Sequence, residues 1–599
     1  MHYKVSMPEP HGHLFRVELT VDRPGDALVL GLPVWSPGSY LVREFARHIE
    51  GVVACDGSGQ SLGVTRLDKH RFRVAAGGAA VALVRYGVFA HELTVRTSHL
   101  DGTHGFINGT SVFMYAEGRE REAHLLEVIA PAGWRVACAL NPAAGAGRDP
   151  FVDRAETPGE RWLFAARDYD ELVDSPLEVG THELVPFDAL GKGHAIALWG
   201  MGGVDLVHLA QDVRCIVEHF GALMGGLPYA RYLFIVHLSA GTRGGLEHAS
   251  SSTILLRRGD LSSRGPYQDA LQLFAHEFFH VWNVKGLRPA AFVPLNYTRE
   301  QYTRLLWWFE GVTSYYGELA LVRMHLADPK RYFRHLGEEL TALSRLPGTA
   351  KMSLEEASLI AWVKHYRPDE NTPNSAVSYY RKGELVALAL DLALRRAGSS
   401  LDEVVRAVCA RYTARGLPED GIECVVAETL GPEPSRAFFE QYVRGTGMVG
   451  PSLEDVGLRI GWRRMQGFDD KGGTPPKPDS SAQPGWIGAA FASGPRFIVM
   501  SVSEEGPAWR AGLYAGDEII AEGGLRVDRP GLWDRMCECG PGKALRLTVF
   551  RRDALLELQI PMEEAPADTA WVEPIPSPSP EQKAAFESWC GTPFPDADR

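Results

Sequence analysis

The chain has 599 residues, too many for one hydrophobic core, so roughly two to four domains are expected. Its 45% hydrophobic and 23% charged residues are ordinary globular values and exclude wholesale disorder or a fibrous class. The net charge of −13, from 62 Lys and Arg against 75 Asp and Glu, argues against a nucleic-acid partner. No run of about 18 apolar residues suggests a membrane span. The N-terminus lacks a basic start followed by an apolar run, and the eight cysteines are scattered. A cytoplasmic protein with reduced thiols is therefore expected.

Residues 1–165 carry short alternating runs such as HLFRVELTV and AVALVRYGVFA between Gly, Pro and Asp, which predicts an all-β domain, a sandwich or a large twisted sheet. Over 166–455 the pattern changes to α+β. Strands are predicted at Tyr232–Leu238 and Ser252–Leu256, with a Gly-rich turn, Gly241–Gly245, between them. Helices are predicted over 267–284, over 299–325 with Thr298 and Gln301 as a capping box, and over 379–397. Residues 466–484 are rich in Gly, Pro, Ser and Asp and read as a flexible insertion within a small β-rich domain over 456–563, whose first strand is placed at Gly457–Trp462. The tail, 564–599, is Pro-rich. It offers Ser579 as N-cap and Pro580 at the first position of a short helix ending at Cys590.

The chemistry is concentrated in His276-Glu-Phe-Phe-His280. Two histidines at i and i+4 share one helix face, so both imidazoles can reach one ion. Zn²⁺ suits such a pair, and Glu277 can act on the activated water as general base. A third ligand is needed. Glu310 lies among Trp307, Trp308, Phe309, Tyr315 and Tyr316, where an uncompensated carboxylate would be costly. Glu300 is the rival by spacing. It sits beside Arg299 at a polar helix start, where an acid merely complements the dipole.

HEFFHVWN, then WWFEGVTSYY, then Tyr379-Tyr-Arg-Lys-Gly-Glu-Leu-Val386 resemble the glycyl aminopeptidase family of gluzincins, which carry a C-terminal PDZ domain. The likeness extends to Leu32-Pro-Val-Trp-Ser-Pro-Gly-Ser-Tyr-Leu-Val-Arg-Glu44 and to Lys285-Gly-Leu-Arg-Pro289. It implies a multidomain protein: an N-terminal all-β domain, a thermolysin-like α+β zinc peptidase domain and a PDZ domain. It also implies that Glu247, in Gly244-Gly-Leu-Glu-His248, binds the substrate's α-amine, and that Tyr380 donates to the oxyanion. Gly506–Ile520 resembles the centre of bacterial PDZ domains, and Trp486, Ile487, Gly488 and Ala489 form the candidate loop for a peptide C-terminus.

The reading is a zinc aminopeptidase that takes peptides with a free N-terminus and, by the resemblance, prefers Gly and then Ala. The alternatives are a zinc endopeptidase, a non-catalytic PDZ-bearing interaction protein, and a hydrolase of a non-peptide substrate.

Overall fold

The computed structural model describes residues 1–144, 160–241, 243–477 and 484–595. Thr242, in the predicted Gly-rich turn, and 478–483, in the predicted insertion, lie outside them. The chain forms two compact units. The first comprises 1–302 and 409–417, the second 303–408 and 418–599, so the division falls inside the stretch expected as one catalytic domain. No helix among the described residues is long and apolar enough to cross a membrane.

The first unit is built on three sheets: one of eleven strands, one of four and one of five. The eleven-stranded sheet takes up most of the segment predicted as all-β. Its strands alternate buried and exposed residues, as in Leu14–Asp22, because one face meets the core and the other meets water. The five-stranded sheet positions the site. Lys192–Trp199 and Arg231–Ser239 run parallel, and the helix Leu206–Met224 makes the crossover that parallel strands require. Every residue from Tyr232 to Leu238 is buried, as expected of a strand covered on both faces. The hairpin to Ser251–Arg257 ends the sheet on the strand Gly244–Glu247.

The helix Arg264–Phe279 packs on this sheet. Phe274 and Phe278, one turn apart, meet Phe234 and Tyr232 at ring separations of 5.7 and 5.1 Å. His276 lies two residues along, about 200° round the helix, and so leaves the face that carries Phe274 and Phe278. The helix stops at Phe279 rather than 284, because the chain turns back on itself: Leu287 donates its N–H to the Trp282 carbonyl at 2.9 Å.

In the second unit the helix predicted from 299 begins only at Trp307, as a π-helical turn through Val312, and continues as Thr313–Arg323. The predicted capping box is absent. The Thr298 hydroxyl donates to Asn296, and Gln301 accepts the Asn296 N–H, each at 2.7 Å, so both side chains hold a loop instead. The helix predicted over 379–397 spans Arg381–Arg396.

Two expectations for the C-terminal region need correction. Leu458–Arg463 does not join the neighbouring β-rich module. It pairs with Thr569–Pro574 as a separate ribbon, because that strand follows the module and returns alongside it. The part of the insertion that is described is anchored: Asp470 takes the Arg463 guanidinium, and Phe468 packs on Phe491 and Trp533 at 4.8 and 5.3 Å. Its Gly- and Pro-rich composition hid these two docking residues. The tail helix Pro580–Cys590 has the predicted Ser579 cap.

Candidate active site

In the first unit, the Nε2 atoms of His276 and His280 lie 3.1 Å apart. Both residues are buried. His280 Nδ1 donates to the Asn283 carbonyl at 2.8 Å, which fixes its tautomer and leaves the Nε2 lone pair facing His276. Two imidazole nitrogens converging on one point, one of them held as an electron-pair donor, is the donor arrangement that a Zn²⁺ ion takes.

Glu277 lies next to this pair. Oxygen atoms of Glu247 and Glu277 and a ring nitrogen of His280 lie within 4.8 Å of one another. The residue expected to bind the α-amine and the expected general base thus share one small buried space. Two glycines make room for it. A Cβ on Gly245 would stand 1.8 Å from a Glu277 oxygen. A Cβ on Gly38 would stand 2.4 Å from a Glu247 oxygen, and Gly38 has φ +90°, a conformation that favours glycine. Gly38 belongs to the N-terminal block noted in the sequence, so the all-β segment contributes a wall of the site.

Asp174, which the sequence did not single out, braces these elements. It accepts from Lys285 Nζ at 2.7 Å and from the Ala249 N–H at 3.0 Å, and it contacts His248 Nδ1 at 3.1 Å. Burial opposes its charge, but Lys285 and His248 outweigh burial and hold its carboxyl well below the usual range. The network ties the chain after Glu247 to the turn that follows His280. No local period marks Asp174; it comes from a short helix-terminal segment about 75 residues before its partner His248.

In the second unit, Glu310 is 2% exposed on the π-helical turn. That turn lies close against Arg381–Arg396: a Cβ on Gly311 would meet the Gly383 backbone at 2.5 Å. Tyr380 immediately precedes this helix. Burial first, then the charge of Glu310, pushes the Tyr380 phenol well above its ordinary pKa, so it stays protonated and able to donate. His365 stacks on the Tyr380 ring at 5.2 Å. Tyr379 is fully buried whereas Tyr380 is partly exposed, which separates the two adjacent tyrosines.

In the C-terminal module, Ile487 is a core residue, and Gly488 turns with φ +72° under the Trp486 ring. Ala489 opens a strand paired with Val499–Val502. A groove beside this loop is lined by Trp486, Ala489, Phe491, Phe468, Arg529 and Met536.

Comparison with known proteins places two family regions on the chain. The peptidase M61 N-terminal domain matches residues 2–181, and the M61 glycyl aminopeptidase domain matches 269–386. The first includes Gly38 and Asp174; the second includes His276, Glu277, His280, Glu310 and Tyr380. Among solved structures, the chain is similar to an aminopeptidase N family protein from Idiomarina loihiensis, with 31% identity and a TM-score of 0.91 over 99% of this chain and 100% of that one. It is also similar to an M1 zinc metallopeptidase from Deinococcus radiodurans, with 15% identity and a TM-score of 0.48 over 75% of this chain and 95% of that one. None of the curated proteins matches.

Proposed function

Because the chain belongs to the aminopeptidase N family of its full-length relative and carries both M61 peptidase domains, we propose that it is a zinc-dependent aminopeptidase that removes N-terminal residues, Gly and Ala foremost, from peptides. The observation that carries this reading is the convergence of His276 and His280 beside Glu277 and Glu247. The metal ligands are His276, His280 and Glu310. For Glu310 the support lies within its own unit: a buried carboxylate whose charge acts on Tyr380.

Zinc held by these residues would supply Lewis-acid activation of a water and of the scissile carbonyl. Glu277 takes the proton of the attacking water and passes it to the leaving amine. The Tyr380 phenol donates a hydrogen bond to the oxyanion as it develops. Glu247 accepts the substrate's N-terminal ammonium, which restricts cleavage to the first peptide bond. Gly38 and Gly245 keep the space around the two carboxylates clear.

The C-terminal module is proposed to be PDZ-like, with Trp486, Ile487, Gly488 and Ala489 as its loop for a peptide C-terminus. Phe468, from the preceding insertion, forms part of the groove wall against Phe491.

The test is metal dependence on a defined substrate. Exhaustive chelation should abolish release of Gly from Gly-Ala-Phe-Leu, and Zn²⁺ should restore it. Undiminished cleavage by metal-free protein would overturn the proposal.

A further inference from the structure

A second group of titratable side chains lies in the first unit and shares no residue with the His276–His280 pair. Where the four- and five-stranded sheets face each other, Phe106 and Ala137 of one meet Ala195, Ala197, Leu233 and Ile235 of the other in a common core. Beyond that apolar patch, Glu178 reaches His104 and His237. Its two oxygens stand 2.9 Å from His104 Nδ1 and 2.8 Å from His237 Nε2. His182 adds a third imidazole, with Nδ1 4.0 Å from Glu178. All four side chains have zero exposure. Gly180 makes room for the cluster: a Cβ there would strike the His104 side chain at 2.5 Å.

Hydrogen bonding among these groups leaves the cluster incomplete. His104 Nε2, His237 Nδ1 and both nitrogens of His182 are buried with no hydrogen-bond partner among the described residues. Neutral rings would leave Glu178 as a buried charge with no counter-charge. A divalent cation would supply the counter-charge that Glu178 lacks beside neutral rings. Three imidazoles and one carboxylate are a donor set suited to Zn²⁺. One donor atom from each of His104, Glu178 and His237 lies within 4.8 Å of the other two, and tetrahedral ligands at zinc distances stand about 3.4 Å apart.

We propose that His104, Glu178 and His237, with His182 as fourth ligand, form a second Zn²⁺ site that fastens the four-stranded sheet to the five-stranded one. The full chain, dialysed against Zn²⁺ and freed of loose metal, should hold two zinc ions. The double variant His276→Ala/His280→Ala should keep one, and Glu178→Gln/His237→Gln should also keep one. Because the second variant removes buried groups and can fail to fold, crystals of the unaltered, zinc-loaded chain should be measured above and below the zinc absorption edge. An anomalous peak between His104, Glu178 and His237 is expected. One zinc per chain, none in the His276/His280 variant, and no peak beside Glu178 would overturn the proposal while leaving the aminopeptidase reading untouched.

Discussion

At the residue scale the account rests on a few side chains with separable roles. Glu277→Gln keeps the shape of the base and removes its proton affinity. kcat on Gly-Ala-Phe-Leu should fall by about 10²–10⁴-fold with zinc content unchanged. Equal loss of zinc would show that Glu277 holds the metal rather than moving a proton. Gly245→Ala introduces a methyl where Glu277 already lies, 1.8 Å away. The carboxylate must shift, and kcat/KM should drop by about 100-fold while circular dichroism stays unchanged. His276, Glu277 and His280 stood out in the sequence because two histidines four residues apart share one helix face. Gly38 was legible only as part of a family block. What it does, admitting Glu247, depends on a contact across more than 200 positions that no local pattern records.

At the element scale, buried ion pairs hold the helix and strand ends that carry the site. Asp174→Asn removes the counter-charge of Lys285, which is itself buried. A loss of about 3 kcal/mol in urea-unfolding stability is expected, because an uncompensated ammonium remains. A loss below 1 kcal/mol would mean that the network is dispensable. In the second unit, burial opposes the charge on His335, but Glu318 and Glu384 outweigh it and raise its pKa to about 10. A raised pKa contributes stability that is complete below about pH 6.5 and is lost as pH climbs towards 10, at up to about 1.4 kcal/mol per pH unit. The difference in urea midpoint between the unaltered chain and His335→Gln should therefore shrink between pH 7 and pH 9.5. A constant difference would contradict the assignment. Element types were largely legible, since apolar periodicity marked the buried strand and the main helices. Element ends were not. Residues 299–304 carry helix-compatible side chains, but Thr298 and Gln301 are engaged by Asn296, and that engagement is visible only in three dimensions.

At the scale of the whole molecule, the residues singled out by the sequence fall in two compact units, each described by itself. Glu247, His276, Glu277 and His280 belong to the first, and Glu310 and Tyr380 to the second. All six were proposed from the sequence because each sits in a distinctive local string. The buried cluster around Glu178 was invisible for the opposite reason: His104, the pair Glu178 and His182, and His237 come from three separate segments, and none lies in a recognisable motif. Composition misled in one place, where a Gly- and Pro-rich stretch contains the anchored Asp470 and Phe468.

The central claim is that cleavage begins from a free amine held by Glu247. The most direct measurement compares Gly-Ala-Phe-Leu with its N-acetylated form on the zinc-loaded chain and on Glu247→Gln, with products followed by mass spectrometry. The account predicts loss of Gly from the free peptide alone, with that cleavage sharply reduced in the variant. Internal cleavage of both peptides, unaffected by the substitution, would contradict it and identify an endopeptidase.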